Sequence, residues 1–181
     1  MSSFTKKAIL ESFLHLVGKK NFDKITVRDI VDDCGVNRNT FYYYFQDIYA
    51  VVEEIAGSVL HCVPCDLPLS LTLSRFFSAM CDFSAAYPRA ARGLTLSFGF
   101  EGLERHFASE LERMILHAIE RDTSFLPEAR PELARLLCHA TLGACLSMMR
   151  AEKGRPDHEE QKRRFGCAIE ALLAPATSEF G

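Results

Sequence analysis

The sequence predicts an all-α protein in which a small three-helix N-terminal domain precedes a larger helical domain. Two observations lead to this prediction: apolar residues recur at helical spacing along nearly the whole chain, and no segment alternates apolar and polar residues as a strand does. With 181 residues, 48% of them hydrophobic, the chain can bury a core. It has no apolar run of ~18 residues and no recognisable secretory signal, so we expect a soluble, cytoplasmic protein.

The first predicted helix covers about residues 5–17. Ile9, Phe13 and Val17 fall on one face, which marks the side that packs on the core. Gly18 follows, and glycine readily adopts the left-handed backbone conformation that ends helices.

The second predicted helix begins after Thr26, a favourable N-cap residue. Asp29 stands three residues later, as the acid of a capping box does. Ile30 and Val31 face the core. Gly35 lies where the chain has to turn sharply before the next helix.

The third predicted helix spans about residues 38–44, with Asn37 as its N-cap. Phe41 and Phe45 are four residues apart and should pack inward. Three consecutive tyrosines span about 200° of a helix, so they cannot all be buried. A helix, a tight turn and an outward-facing second helix form the pattern with which proteins enter the major groove of DNA.

A fourth helix is predicted from Asp47 to about His61, and a proline-containing segment interrupts the pattern behind it. We therefore expect a helix-turn-helix DNA-binding domain over residues 1–47 and a regulatory and dimerisation domain over residues 48–181. Further helices are predicted over about residues 71–86, 88–98, 101–121, 131–150 and 157–173.

The last two predicted helices are apolar on more than one face. A monomer would expose part of that surface, which is typical of an association site. Pairing two helices from each subunit into a four-helix bundle would bury it, so we expect a homodimer formed through these helices.

Charge is distributed unevenly along a chain whose net charge is −3. Residues 1–46 contain seven Lys and Arg against five acidic residues, a balance of +2, which leaves −5 for the remainder. A mildly basic N-terminal domain suits local contact with phosphate without general attraction to nucleic acid.

The first ~48 residues contain a spaced set of apolar, turn and aromatic residues: Thr26, Ile30, Gly35, Val36, Thr40, Phe41, Tyr42 and Phe45. By this set they resemble the tetracycline-repressor (TetR) family of bacterial transcription regulators. The resemblance implies a homodimer whose recognition helices enter successive major grooves of a roughly palindromic operator. It also implies a small molecule that binds in the helical domain and releases the DNA, as in a repressor.

The same resemblance indicates which residues contact DNA. Independently of it, Arg38 can donate two hydrogen bonds to guanine and Asn39 can read adenine, while tyrosine hydroxyls can bind phosphate oxygens. The expected DNA-contacting residues are Thr26 and Arg28 at the start of the second helix and Arg38, Asn39, Thr40, Tyr42, Tyr43 and Tyr44 in the third.

The sequence departs from the family just after the third helix. Family members often have a lysine there that binds phosphate, whereas this chain has Gln46 and Asp47. Asp47 should cap the fourth helix and repel phosphate. We therefore expect DNA affinity to depend less steeply on salt than in a relative with the lysine.

Cys62 and Cys65 stand at the expected domain boundary, beside His61 and Asp66. Such a pair can form a redox couple or half of a zinc site. The chain has no second pair at this spacing, so incidental reduced thiols are the simpler interpretation, and we expect no metal and no cofactor.

A ligand cavity in the larger domain would be mostly apolar. Aromatic and methionine residues at helical spacing could line it, although the same residues could equally form plain core. The candidate lining residues are Phe77, Met80, Phe98, Met114 and His117.

Three functions remain open. The motif favours a ligand-responsive DNA-binding repressor. The helical domain could instead bind a protein partner or nothing, or the chain could sense thiol or metal state through Cys62 and Cys65. An enzyme is least favoured, because no catalytic triad, phosphate-binding glycine loop or metalloprotease motif is present.

Overall fold

The computed structural model describes residues 3–122, 125–150 and 157–174, and within them it contains α-helices and short 3-10 turns but no strand. The all-α prediction is confirmed. The helices are α1 (Ser3–Val17), α2 (Val27–Cys34), α3 (Arg38–Tyr44), α4 (Ile48–Leu60), α5 (Leu69–Ala86), α6 (Pro88–Glu120), α7 (Arg130–Arg150) and α8 (His158–Leu173).

Helix α6 is interrupted near its middle. Gly99 has φ 60° and ψ −151°, a conformation that is strained for any residue with a Cβ atom. The sequence predicts separate helices over residues 88–98 and 101–121, so the interruption lies between the two predicted segments. The two halves of α6 are therefore two helices that meet at a kink at Gly99, the first packed against the N-terminal helices and the second within the larger domain.

The buried apolar residues form two clusters. One joins α1 to α3 with the first half of α4, and the other joins α5 to α8 with the second half of α4. Val51, Val52 and Ile55 of α4 belong to the first cluster, whereas Ala56 and Val59 belong to the second. Helix α4 is therefore shared, and the domain boundary at residues 47 and 48 stays a prediction.

The N-terminal helices pack closely against α6. A Cβ atom on Gly93 would overlap the carbonyl oxygen of Val17. The ring of Phe22, in the turn after α1, lies 4.5 Å from the ring of Phe98, and its backbone N–H donates to Ser97 Oγ at 3.4 Å. The end of α1 and the following turn therefore rest directly on α6.

No helix in the described part of the chain is both long and apolar enough to span a bilayer.

Replacing Gly93 with Ala should destabilise the protein by roughly 1–3 kcal/mol, the usual cost of overpacking. The new methyl group would meet a backbone carbonyl, which cannot rotate away as a side chain can. Urea unfolding measures this change. The matched control is Gly57→Ala in α4, where the added Cβ meets nothing within 4 Å. That variant should keep or raise stability by up to about 1 kcal/mol, and equal losses in both variants would contradict the packing described.

Candidate nucleic-acid interface

Helix α2 begins with a complete capping box. The backbone N–H of Asp29 donates to Thr26 Oγ1 at 3.2 Å, and the Thr26 N–H and hydroxyl donate to Asp29 Oδ2 at 2.7 and 2.6 Å. Lys20 Nζ lies 2.9 Å from the same oxygen. The hydrogen bonds from Thr26 and Lys20 lower the pKa of Asp29 from 3.8 to about 2. The predicted cap is therefore confirmed, and its carboxylate stays ionised.

The turn between α2 and α3 depends on two local features. Gly35 ends α2 in the left-handed conformation, with φ 71° and ψ 21°, and its N–H donates to the Val31 carbonyl. Asn37 then caps α3 by accepting hydrogen bonds from the N–H of Thr40 at 2.8 Å and from its hydroxyl at 3.0 Å. Both ends of the turn are thus held by residues that the sequence identifies.

Helix α3 is anchored by one buried face. Phe41 is fully buried, and Phe45, which is also buried, packs 5.9 Å from it between ring centroids. Helix α2 is held in turn by α1, because the buried Ser12 hydroxyl donates to the Ile30 carbonyl at 3.1 Å. Helix α3 therefore packs on a buried base, which holds its exposed face in one orientation.

The opposite face of α3 projects into solvent. Arg38 and Asn39 are exposed, and Tyr42 and Tyr43 are 56% and 76% exposed. At 100° per residue, these four side chains fall within about 140° of the helix and form one face. We call Arg38, Asn39, Tyr42 and Tyr43 the reading face.

Two other predicted contacts in α3 lie at the edge of the reading face. Thr40 is half-buried, and its hydroxyl donates to Asn37. Tyr44 is half-buried, with its ring perpendicular to that of Tyr43 at 5.0 Å. Thr40 and Tyr44 are therefore less exposed than the four residues of the reading face.

The two residues predicted to contact DNA at the start of α2 differ in how strongly other side chains bind them. The Thr26 hydroxyl donates a hydrogen bond to Asp29, whereas Arg28 is exposed and forms only a long ion pair with Asp32, at 3.4 Å. Exposed ion pairs contribute little stability, so Arg28 can exchange this carboxylate for a phosphate.

Asp47 caps α4 by accepting a hydrogen bond from the Ala50 N–H at 2.8 Å, as expected from the sequence.

An apolar cavity lies where α4, α5, α6 and α7 meet, directly behind the N-terminal domain. Its volume is about 50 Å³. We call it the junction cavity. Its lining residues are Val52, Ile55, Ala56, Val59, Met80, Phe83, Leu94, Thr95, Phe98, Gly99, Gly102, Leu103, His106, Phe107 and Met149.

The five residues predicted to line a ligand cavity lie in three different environments. Met80 and Phe98 line the junction cavity. Phe77 stacks on Phe165 of α8, with ring centroids 4.1 Å apart, and Met114 is buried in the core of the larger domain. His117 is exposed on the surface, 3.8 Å from Asp66.

Sequence reasoning missed His106, which also lines the junction cavity. Helical periodicity over residues 101–121 does not identify it, because the packing of neighbouring helices decides which part of a helix borders a cavity. The only usable signal was the pair of closely spaced glycines, Gly99 and Gly102, which marks an unusual stretch of helix. A Cβ atom on Gly102 would overlap Phe98, so this glycine makes room for a ring that lines the cavity.

Cys62 and Cys65 are both exposed, and the Cys62 thiol donates to the Ser58 carbonyl at 3.4 Å. Within the described residues, no three His, Cys, Asp or Glu side chains are grouped so that they could hold a metal ion. Burial raises the pKa of Cys81 and of Cys138 to about 11, which keeps both as thiols.

The sequence of the N-terminal helices is similar to that of one protein family. Residues 9–55 match the sequence pattern of the family described as "Bacterial regulatory proteins, tetR family". The uncharacterized HTH-type transcriptional regulator YvdT of Bacillus subtilis (strain 168) is 35% identical over 52 residues, which are 29% of this chain and 27% of that protein. The sequence likeness to this curated relative therefore spans about a quarter of its length.

Solved structures share the fold over nearly the whole chain. The dihydroxyacetone kinase operon activator DhaS is 16% identical with a TM-score of 0.70, covering 95% of this chain and 97% of its own. A TetR transcriptional regulator from Streptococcus agalactiae 2603V is 20% identical with a TM-score of 0.61, covering 91% and 93%. At these identities the likeness establishes the fold.

Replacing Asp29 with Asn should destabilise the protein at neutral pH and much less in acid. A carboxylate whose pKa is lowered by folding contributes stability above its unfolded value of 3.8, and this contribution is lost as the pH falls through about 2. The difference in unfolding free energy between wild type and Asp29→Asn should therefore shrink between pH 6 and pH 2, as urea titrations at several pH values would show. Asp32→Asn, on the same helix but outside the cap, is the control, and a pH-independent difference for Asp29→Asn would contradict the capping role.

Proposed function

We propose that this chain, which carries the tetR-family N-terminal domain, is a transcriptional repressor that binds a palindromic operator as a homodimer and is released by a small molecule. The observation that carries the proposal is the reading face, presented by a capped and buried helix. DNA is its natural partner, because the face combines an arginine, an asparagine and two tyrosines without an acidic residue.

Each residue of the reading face has a chemistry that suits the major groove. The Arg38 guanidinium can donate two parallel hydrogen bonds to guanine, and the Asn39 amide can both donate to and accept from adenine. Tyr42 and Tyr43 offer hydroxyls for phosphate oxygens and ring surfaces for thymine methyl groups. A face with one formal charge favours reading base edges over strong attraction to the DNA backbone.

The homodimer is supported by the outer surface of α7 and α8. Leu136 is 59% exposed and Leu172 is 66% exposed, and a Cβ atom on Gly143 would meet nothing within 4 Å. Within α8 only Ile169 is buried. Pairing this surface with a second copy would bury it and place two recognition helices on one DNA molecule, as half-sites about 34–36 Å apart require.

The junction cavity supports release by a small molecule. Val52 and Ile55 of α4 line it, and both also belong to the core of the N-terminal domain. A molecule in this cavity would therefore press on residues that hold the recognition helix in place. Repression is proposed because occupying an operator is sufficient for it, whereas activation needs a further contact with the transcription machinery.

The small size of the junction cavity favours a second candidate, a regulator whose larger domain responds to a protein partner or to nothing. Typical ligand sites have volumes of about 300–1,000 Å³, and this cavity measures about 50 Å³. Operator affinity would be measured with and without small molecules that fit the cavity. If none of them changes the affinity, the second candidate is supported over the first.

Replacing Arg38 with Ala should weaken binding to an operator fragment by roughly 10–100-fold, since a bidentate base contact is worth about 1–3 kcal/mol. Fluorescence anisotropy with DNA flanking the gene of this protein measures the change. The control is Arg113→Ala, which removes an exposed arginine of α6 that pairs with Glu110. Failure to bind any such fragment, or unchanged affinity in Arg38→Ala and Tyr43→Ala, would overturn the proposed DNA binding.

Replacing Leu136 and Leu172 together with Glu should convert the dimer into a monomer, because two charges in each subunit would have to be buried in an apolar interface. Sedimentation velocity measures the molecular mass in solution. Leu96→Glu, at a position of α6 that is 71% exposed, is the control and should leave the dimer intact. A monomeric wild-type protein would contradict the proposed dimer.

A further inference from the structure

Four basic side chains line one surface groove, which lies between the end of α1 and the start of α6. Its volume is about 240 Å³, and no acidic residue of the described chain borders it. We call it the basic groove. Its lining residues are Val17, Gly18, Lys19, Lys20, Asn21, Arg89, Arg92, Gly93 and Leu96.

Close packing of the two helices brings the four basic side chains together. A Cβ atom on Gly18 would lie only 2.9 Å from the Cβ atom of Arg89. The two lysines directly follow Gly18 in the chain, and the second arginine follows Arg89 by three residues, on the same side of α6. The lysines and the arginines therefore border one groove from two sides.

The basic groove carries a concentrated positive charge. Lys20 Nζ lies 2.9 Å from Asp29 Oδ2, whereas Lys19, Arg89 and Arg92 are exposed to solvent. Like charges three residues apart on a helix, as in Arg89 and Arg92, repel each other. An anion bound in the groove would reduce this repulsion, and a polyanion with separated charges would suit several cations at once.

The basic groove adjoins the part of the N-terminal domain that would cross the DNA backbone. In a helix-turn-helix complex the second helix of the motif enters the major groove while the first crosses the backbone. Here the first helix is α2, and Lys20 is paired with Asp29 in its first turn. Arg28, which is exposed, is the neighbouring residue. The phosphate backbone that passes the start of α2 would therefore pass beside the groove.

The reading face alone offers little to the DNA backbone. Contacts between cations and phosphates supply much of the affinity of DNA-binding proteins, yet Arg38 is the only formally charged residue of this face. Asp29 and Asp47 add negative charge nearby, and Lys6 of α1 is already paired with Glu54 at 2.6 Å. Cations outside the reading face are therefore needed for backbone contacts, and the basic groove contains four.

We infer that the basic groove binds backbone phosphates of duplex DNA that flank the bases read by α3. This inference rests on the proposed function, because it assigns phosphate contacts in the same DNA complex. Two of the four cations belong to α6, so the site is complete only while α1 and α6 keep the packing described. Phosphates carry no sequence information, so the groove raises affinity and fixes the orientation of the protein on the duplex.

The test is the salt dependence of DNA binding by the full-length protein. Fluorescence anisotropy with a bound fragment of the DNA flanking its gene is repeated between about 50 and 200 mM salt, where the logarithm of affinity falls by roughly 0.9 per phosphate contact for each tenfold rise in salt. Arg89→Ala/Arg92→Ala removes two cations from each subunit of the proposed dimer. The magnitude of the slope should therefore fall by roughly 3 to 4.

Three variants separate this effect from altered net charge or stability. Arg105→Ala/Arg113→Ala removes two exposed arginines from the second half of α6 and should keep the wild-type slope. Arg89→Lys/Arg92→Lys retains both charges and should keep it as well. Leu96→Glu adds a carboxylate at a groove position that is 71% exposed, so it should weaken DNA binding without removing a cation.

Ethylation interference locates the contacts independently of salt. Ethylation removes the charge of a single backbone phosphate, and it should weaken wild-type binding at phosphates that flank the bases read by α3. The same modifications should have no effect on Arg89→Ala/Arg92→Ala, which has already lost those contacts.

The outcomes distinguish this inference from the proposed DNA binding. Wild-type binding with an unchanged slope in Arg89→Ala/Arg92→Ala, or with the same ethylation pattern, would overturn the inference and leave the DNA-binding proposal standing. Wild-type protein that binds no fragment would overturn both. Isothermal titration in which pyrophosphate binds the wild type but not Arg89→Ala/Arg92→Ala, with an unchanged DNA slope, would assign the groove to a free phosphate compound and overturn the DNA contact.

Discussion

The close packing of the N-terminal helices on α6 is the constraint on which the rest of the structure depends. Gly93 allows the end of α1 to approach the α6 backbone, and Phe22 lies on Phe98 one and a half turns further along. Since α1 also supports α2 through Ser12, the position of the recognition helix is tied to α6 by a continuous series of packed groups. Phe98 therefore belongs to the packed contacts that position the N-terminal helices.

The kink of α6 at Gly99 lies beside the junction cavity. The non-helical conformation of Gly99 redirects the helix, and Gly102 makes room for the Phe98 ring. Gly99 and Gly102 line the junction cavity, as does His106, which follows the break by about two turns.

The reading face carries little charge and lies on a helix that is anchored by buried phenylalanines. Arg38 is its only formally charged residue, and the next positions, Gln46 and Asp47, add no positive charge. Asp29 and Asp47 both accept backbone hydrogen bonds or cap a helix start, so these carboxylates stabilise the domain while adding negative charge near α3. The reading face would consequently depend on geometry and base contacts more than on attraction between opposite charges.

The local features of the N-terminal domain follow from the sequence by itself. The cap residues Thr26, Asn37 and Asp47 and the left-handed Gly35 act on neighbours within four residues, so their roles can be read from spacing and residue type. The apolar stripes likewise determined the all-α class and the helices of the larger domain. Only the tertiary structure decided which aromatic residues surround a cavity. Phe77 stacks on Phe165 and Phe98 packs on Phe22, and each contact joins segments far apart in the chain. Nε2 of His106 has no hydrogen-bond partner among the described residues, and its surroundings depend on a helix break at Gly99 whose direction no local pattern specifies.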